Sequence, residues 1–223
     1  PPTEWPDDRP AATDITDSPF GDSGYYLSYD NRTKRVALSF DIGYAEGNRE
    51  VRELLAERGI QGTFFMLGGA VDNHPEIIGE VLENGHELGN HSYTHENMLT
   101  QTRAQIAWEL SVTEKLVQDA YPGATTKDIF RAPFGAINDR VKAVADEQGY
   151  HLVGWTVDSA DWTDGITADK LYEVVTERVC PGAMIAMHDV NTANGPALPR
   201  ILDFLDANGY EYVTVTELLF PDR

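Results

Sequence analysis

Several polar side chains able to do chemistry directly follow short apolar runs. Asp41 follows Val36-Ala37-Leu38-Ser39-Phe40, His91 follows Leu88-Gly89-Asn90, Arg131 follows Ile129-Phe130, and His188 follows Ala183 to Met187. A carboxylate placed like Asp41 is a candidate general base that deprotonates a water. His188 titrates near neutrality and is a candidate general acid. Asp161 could orient that imidazole, as carboxylates do in other hydrolases. Arg131 could pair with Asp41 and hold it ionised. His91-x-x-x-His95 can face one metal ion if the segment is helical or tightly turned. Pro133 and Gly135 fix a tight turn, where a backbone N–H could serve as an oxyanion donor. Each residue also has a plainer reading. Asp41 could cap a helix, His188 could be a satisfied core histidine, and Arg131 could staple a carboxylate with no catalytic role. Asp158 and Asp161 could be solvated loop residues, and Trp162 a pocket wall or core.

These residues need elements to hold them. Strand-like runs are expected at 36–41, 62–67, 87–90, 129–132, 152–157, 183–188 and 211–215. Amphipathic helix-length segments fall near 48–58, 75–84, 101–119, 138–148, 168–179 and 197–208, several stopped by Gly59, Gly85, Gly149 or Gly209. Strand and helix alternate about seven times, which reads as an α/β fold with a parallel sheet. A barrel gathers chemistry at the C-terminal ends of many strands, whereas an open sheet gathers it at one switch point. Here five strands deliver Asp, His, Arg or Trp at the same end, so the barrel is expected. Neither GxGxxG nor GxxxxGK[ST] occurs, which removes the main support for a nucleotide cradle.

Composition narrows the partners. The 223 residues are 41% hydrophobic, enough for one substantial core. Asp and Glu number 37 against 17 Lys and Arg, a formal net charge of −20. Nucleic-acid backbones and anionic lipid are therefore poor partners. No run of about 18 apolar residues would span a membrane. Cys180 is the single cysteine, so neither an intrachain disulfide nor a cysteine metal cage is expected. Residues 1–34 carry Pro1, Pro2, Pro6, Pro10 and Pro19 among aspartates and read as a linker or wrapping arm. Trp5, Phe20, Tyr25 and Tyr26 could pin parts of it to a body spanning 35–223. The opening Pro1-Pro2-Thr3 is that expected of a mature or trimmed form.

Five ordered segments resemble the NodB-homology polysaccharide deacetylases, carbohydrate esterase family 4. They are Ser39-Phe40-Asp41-Ile42-Gly43, His91-Ser92-Tyr93-Thr94-His95, Arg131-Ala132-Pro133-Phe134-Gly135, Asp158 to Trp162, and Ala186-Met187-His188. The likeness covers roughly residues 35 to 220. It implies a distorted (β/α)7 barrel, a divalent metal (usually zinc), and hydrolysis of N-acetyl groups from a glycan or, in some members, O-acetyl groups from xylan. By the same resemblance Asp41 is the base, His91 and His95 hold the metal, and His188 protonates the leaving amine. Asp161 tunes His188, and Arg131 positions Asp41. Phe134 supplies an oxyanion N–H, and Trp162 lines the acetyl pocket. The substrate class implies a secreted or cell-envelope protein.

Two positions depart from the family pattern. Ile42 stands where the family has a metal-ligand aspartate, and Ala186 where it has a leucine beside the acetyl pocket. Ile42 leaves four readings open. Asp41 shifts onto the metal; Glu46 or Asp189 completes the site; the metal is weakly held or dispensable; or the barrel is inactive and binds glycan. Met187 could fill the space left at Ala186. The run Phe40-Asp41-Ile42-Gly43-Tyr44-Ala45-Glu46-Gly47 is similar to the muramic-acid deacetylase branch, which marks Tyr44 as a substrate-contact candidate and favours peptidoglycan. The acidic surface pulls the other way, towards neutral chains such as chitin or xylan.

Overall fold

The computed structural model describes residues 33–43, 49–188 and 193–221, with the backbone of Tyr25 and Tyr26. Nine strands are assigned in these residues: β1 (Tyr25–Tyr26), β2 (Arg35–Ile42), β3 (Thr63–Met66), β4 (Glu87–Asn90), β5 (Asp128–Phe130), β6 (Tyr150–Val153), β7 (Val157–Asp158), β8 (Ala183–His188) and β9 (Glu211–Tyr212). The helices are α1 (Arg49–Glu57), α2 (Gly68–Asn73), α3 (Glu76–Glu83), α4 (Arg103–Ala120), α5 (Asp139–Glu147), α6 (Ala168–Arg178), α7 (Asn194–Ala207) and α8 (Val215–Leu219). Every strand pair is parallel. The order is β1-β6-β5-β4-β3-β2-β8-β7, with β9 beside the start of β2. The fold is thus the expected α/β barrel type, curled and not fully hydrogen-bonded round.

The expected strand at 152–157 is in fact two. β6 pairs with β5, and β7 pairs with β8, towards the opposite end of the sheet. The chain changes partner at Gly154-Trp155-Thr156, where Thr156 N–H donates to Met184 O at 2.9 Å. Three residues span at most about 11 Å. So short a link draws the two ends of the sheet together and forces it to curl. Two further differences are local. The strand expected at 211–215 stops at Tyr212, because Thr214 and Glu217 form a capping box that starts α8. The short α2 was not expected from its Gly68-Gly69 opening, a poor helix start by propensity.

Alternation along the strands separates two environments. Val36, Leu38, Phe40 and Ile42 of β2 join Ile185 and Met187 of β8 in the cluster facing the helices. Ala37, Phe65, Ile129, Val153 and Met184 turn inward and meet Val213, Val215, Leu218 and Leu219. The barrel is therefore plugged with apolar side chains at one end, leaving the other end to polar groups. Backbone Tyr25–Tyr26 pairs with Leu152–Val153 of β6, so part of the expected arm is a strand of the sheet.

Gly89 is required by this packing. A Cβ there would lie 2.5 Å from Phe65 Cδ1 and 3.2 Å from Ile129 Cγ1. Phe65 in turn carries the Arg131 guanidinium, 4.0 Å from its ring centroid. Gly89→Ala should lower stability by about 1–3 kcal/mol through overpacking, read as a reduced urea midpoint. An unchanged midpoint would show that the Phe65 ring is not confined.

Candidate active site

The polar end of the barrel is built around Arg131, which is 0% exposed. Its Nη1 donates to Asp41 Oδ1 at 2.7 Å, and its Nη2 donates to Ser39 Oγ at 2.8 Å and Gly154 O at 2.9 Å. Ser39 Oγ in turn donates its hydrogen bond to Ile185 O at 2.7 Å. The carbonyl of Arg131 accepts from His91 Nδ1 at 2.8 Å. A carbonyl can only accept, so Nδ1 carries the proton and the Nε2 lone pair faces the cleft, 3.7 Å from Asp41 Oδ2. His95 stands beside it, its ring centroid 5.1 Å from that of His91 and 4.8 Å from that of Phe134.

The turn that carries both imidazoles is held from α4. Buried Glu109 accepts from Tyr93 N–H and Thr94 N–H, each at 2.8 Å, from Thr94 Oγ1, and from Gln101 Nε2. This clamp holds a turn in which Ser92 and His95 sit at φ of 69° and 61°, unusual for non-glycine residues.

On the opposite wall, His188 Nδ1 meets Asp161 Oδ1 at 2.8 Å, and His188 N–H donates to Asp161 Oδ2 at 2.7 Å. Asn194, at the start of α7, adds Nδ2 donation to Asp161 Oδ2 at 2.9 Å and to His188 O. With Nδ1 directed at the carboxylate, His188 Nε2 faces the cleft, 3.9 Å from Asp41 Oδ2. Asp41 and His188 are register partners on neighbouring strands, which is why they converge.

Charge divides across this space. Burial favours a neutral Asp41, but Arg131, His91 and His188 outweigh it and hold the carboxyl below its usual range. Burial pushes His91 down to about 4, against the pull of Asp41. Burial also lowers His95. Burial would lower His188 too, but the Asp161 carboxylate, with Asp41 beyond it, raises it instead. A carboxyl biased towards its anion and an imidazole of raised proton affinity thus face one another, an arrangement suited to taking a proton from one reactant and giving one to another.

The cleft between them has a volume of about 470 Å³. Asp41, His91, His95, Ala132, Phe134, Trp155, Asp158, Trp162, Ala186 and His188 line it. Phe134 and Trp162 are 68% and 62% exposed at its rim. Trp162 Nε1 is tied to Asp158 Oδ1 at 3.2 Å. Met187 is not among the lining residues. It sits one step along from an inward position and packs in the helix-side cluster, so Ala186 faces the cleft and Met187 does not fill it. Tyr44, Glu46 and Asp189 lie outside the described residues.

A catalytic zinc takes three protein ligands and keeps an open position. Ile42 is 1% exposed and packed in the helix-side apolar cluster. Among the described residues no three His, Cys, Asp or Glu side chains are arranged to hold a metal ion. Those residues therefore offer two imidazoles and do not fit a complete zinc site. Sequence reasoning missed Ser39, Glu109, Trp155 and Asn194. A buried-type apolar strand containing one serine was the only local signal for Ser39; the other three had none.

Residues 28–153 match the family model described as polysaccharide deacetylase. The peptidoglycan-N-acetylglucosamine deacetylase PgdA of Listeria monocytogenes is 34% identical over 189 residues, covering 83% of this chain and 39% of that protein. The chain thus spans about two fifths of that relative's length. The peptidoglycan-N-acetylmuramic acid deacetylase PdaA of Bacillus subtilis is 31% identical over 200 residues, covering 88% of this chain and 75% of that protein. The solved structure of PdaA, a family 4 carbohydrate esterase, has a TM-score of 0.84 at 27% identity, covering 90% of this chain and 87% of that one. A CE4 family pseudoenzyme from Bacillus anthracis has a TM-score of 0.81 at 29% identity, covering 87% and 68%.

The low pKa of His91 has a consequence for stability. An unfolded histidine titrates near 6.5, whereas folded His91 stays neutral to about 4. The unfolded chain therefore binds the extra proton, and folding stability falls as pH drops through that window, by about 3 kcal/mol from this residue. Depressed Asp41 adds to acid sensitivity only below its unfolded pKa, and raised His188 acts in the opposite sense. His91→Gln should remove the His91 share, so that urea stabilities of wild type and variant converge between pH 7 and pH 4. Parallel curves would mean that His91 is not buried as a neutral ring.

Proposed function

Since the chain belongs to the polysaccharide deacetylase family, we propose that its barrel hydrolyses acetyl groups from an N-acetylated polysaccharide, peptidoglycan first and chitin-type glycan second, or alternatively from O-acetylated xylan. The observation that carries this reading is the facing of Asp41 and His188 across 3.9 Å with their proton affinities pushed apart. Asp41 takes a proton from a water as its oxygen bonds to the acyl carbon. The C–N bond then breaks, and His188 gives its proton to the departing amine. Acetic acid and a free amino sugar are the products. Arg131 holds Asp41 in place, and Asp161 holds His188. The backbone N–H of Phe134 is the proposed donor to the developing oxyanion, and Phe134 and Trp162 are the proposed rests for the sugar. Their relatives' substrates favour an extracellular or cell-envelope setting, and no described helix is long and apolar enough to cross a membrane. The proposed division of the chain is an arm over 1–34 and the catalytic unit over 35–223.

A divalent cation, zinc before others, would be held by His91 and His95, with Asp41 beside them as the nearest carboxylate; it would polarise the acyl carbonyl and the attacking water. The incomplete metal set among the described residues favours a second reading, a catalytically weak or inert glycan-binding barrel, and likeness to a pseudoenzyme supports it.

Acetate release from peptidoglycan, acetylated chito-oligomers and acetylxylan separates the two readings. The enzyme reading expects release from at least one substrate, abolished in Asp41→Ala. His188→Ala should lower kcat about 10²- to 10⁴-fold with a smaller effect on KM. Background rates in wild type and Asp41→Ala alike on all three substrates would leave the binding barrel. Metal analysis after brief chelation and zinc readdition should find less than one zinc per wild-type chain and none in His91→Ala. A full, tightly held zinc would mean that Asp41 moves onto the metal or that a residue outside those described completes the site.

A further inference from the structure

The floor of the cleft carries information that its acid–base pair does not. Ala186 lies two residues before His188 on β8 and is register-paired with Ser39, just as His188 is paired with Asp41. It therefore occupies the inward layer directly beneath the reacting groups. Ala132, Ala186 and the Trp155 ring line this depth, and Ala132 and Ala186 are both buried. Below them Met184 belongs to the apolar plug. The flexible side chain nearest in sequence, Met187, is committed to the helix layer. Ser39 cannot reach in as a polar ligand, because its hydroxyl is tied to Ile185 O and Arg131. Two methyl side chains and an aromatic ring thus line an apolar recess of the cleft beside the acid–base pair; with the sugar at the exposed rim and the amine at His188, the acyl substituent would turn towards it.

We infer that this recess accepts an acyl chain longer than acetyl, so that N-propionyl and N-butyryl amino sugars are substrates, with Ala186 the residue that sets the length limit. The inference rests on the hydrolase reading and deepens it. The reaction is unchanged: water adds to the acyl carbon, the C–N bond breaks, and the longer carboxylic acid leaves with the amino sugar as the other product. The added methylenes lie on Ala132, Ala186 and Trp155. Each methylene accommodated in an apolar pocket is worth about tenfold or more in discrimination.

The experiment uses the full chain with chito-oligomers bearing N-acetyl, N-propionyl or N-butyryl groups, with each released acid quantified. We expect kcat/KM for the butyryl oligomer to exceed that for the acetyl oligomer by about tenfold or more. Ala186→Leu should fill the recess and reduce the butyryl-to-acetyl ratio by about tenfold. Ala132→Val, a smaller change on another strand, should move the ratio the same way. Release of acetate alone by wild type overturns this inference and leaves the deacetylase reading standing. If no acid is released from any oligomer, the hydrolase reading fails, and calorimetric titration with the same oligomers decides the recess separately. Tighter binding of the butyryl oligomer by wild type, lost in Ala186→Leu, keeps the recess; equal binding of all three by wild type overturns it.

Discussion

The polar end of this barrel depends on one buried cation. Arg131 lies wholly inside the sheet, where an unpaired charge would cost several kcal/mol. It is held by Asp41, Ser39 and Gly154 O, and by the face of Phe65. These partners come from β2, from β3 and from the link between β6 and β7. Its main chain does as much as its side chain, because the Arg131 carbonyl fixes the tautomer and the direction of His91. One residue thereby orients both the carboxylate and the imidazole beside it. Truncating such a side chain strands a buried anion, so its loss would damage folding and geometry together.

The opposite wall follows the same logic with the signs exchanged. Asp161 is a buried anion, and His188 and Asn194 satisfy it. Two separate networks, one centred on a cation and one on an anion, set unlike proton affinities a few ångströms apart. Neither network involves Ile42, which lies behind β2 among apolar side chains. The acid–base frame is therefore complete with isoleucine at position 42.

How much of this could be read in advance differs by residue. Asp41, His91, Arg131 and His188 were legible because each lies at the end of a strand-like run, and parallel strands bring such ends together; His95 and Asp161 were legible only from the His91-x-x-x-His95 spacing and the Asp158 to Trp162 segment. β4 and β8 matched expectation because their apolar runs end at a sharp polar boundary. The division at Gly154 was not legible, since Leu152 to Val157 contains no strong breaker other than one glycine. What splits it is pairing with two distant strands. Asn194 and Glu109 were hidden for a related reason. An asparagine opening a helix and a glutamate within one are common, and their roles exist only once β8 and the His91–His95 turn are packed against them. Met187 was misplaced by a single step of alternation, which is enough to move a side chain to the other face.

The topology also constrains how the chain reaches its native state. β8 lies between β2 and β7, and Ser39 is bonded to a carbonyl 146 residues further on. Contacts of such sequence separation close late, because the loop entropy must be overcome before they contribute. During synthesis from the amino end, β2 can pair with β3 early, but its other edge stays open until residues 183–188 have emerged. That edge belongs to an almost wholly buried apolar strand, of the kind that templates association between chains. The most aggregation-prone moment of this protein's life thus ends when its C-terminal third arrives, and the same event brings His188 to face Asp41.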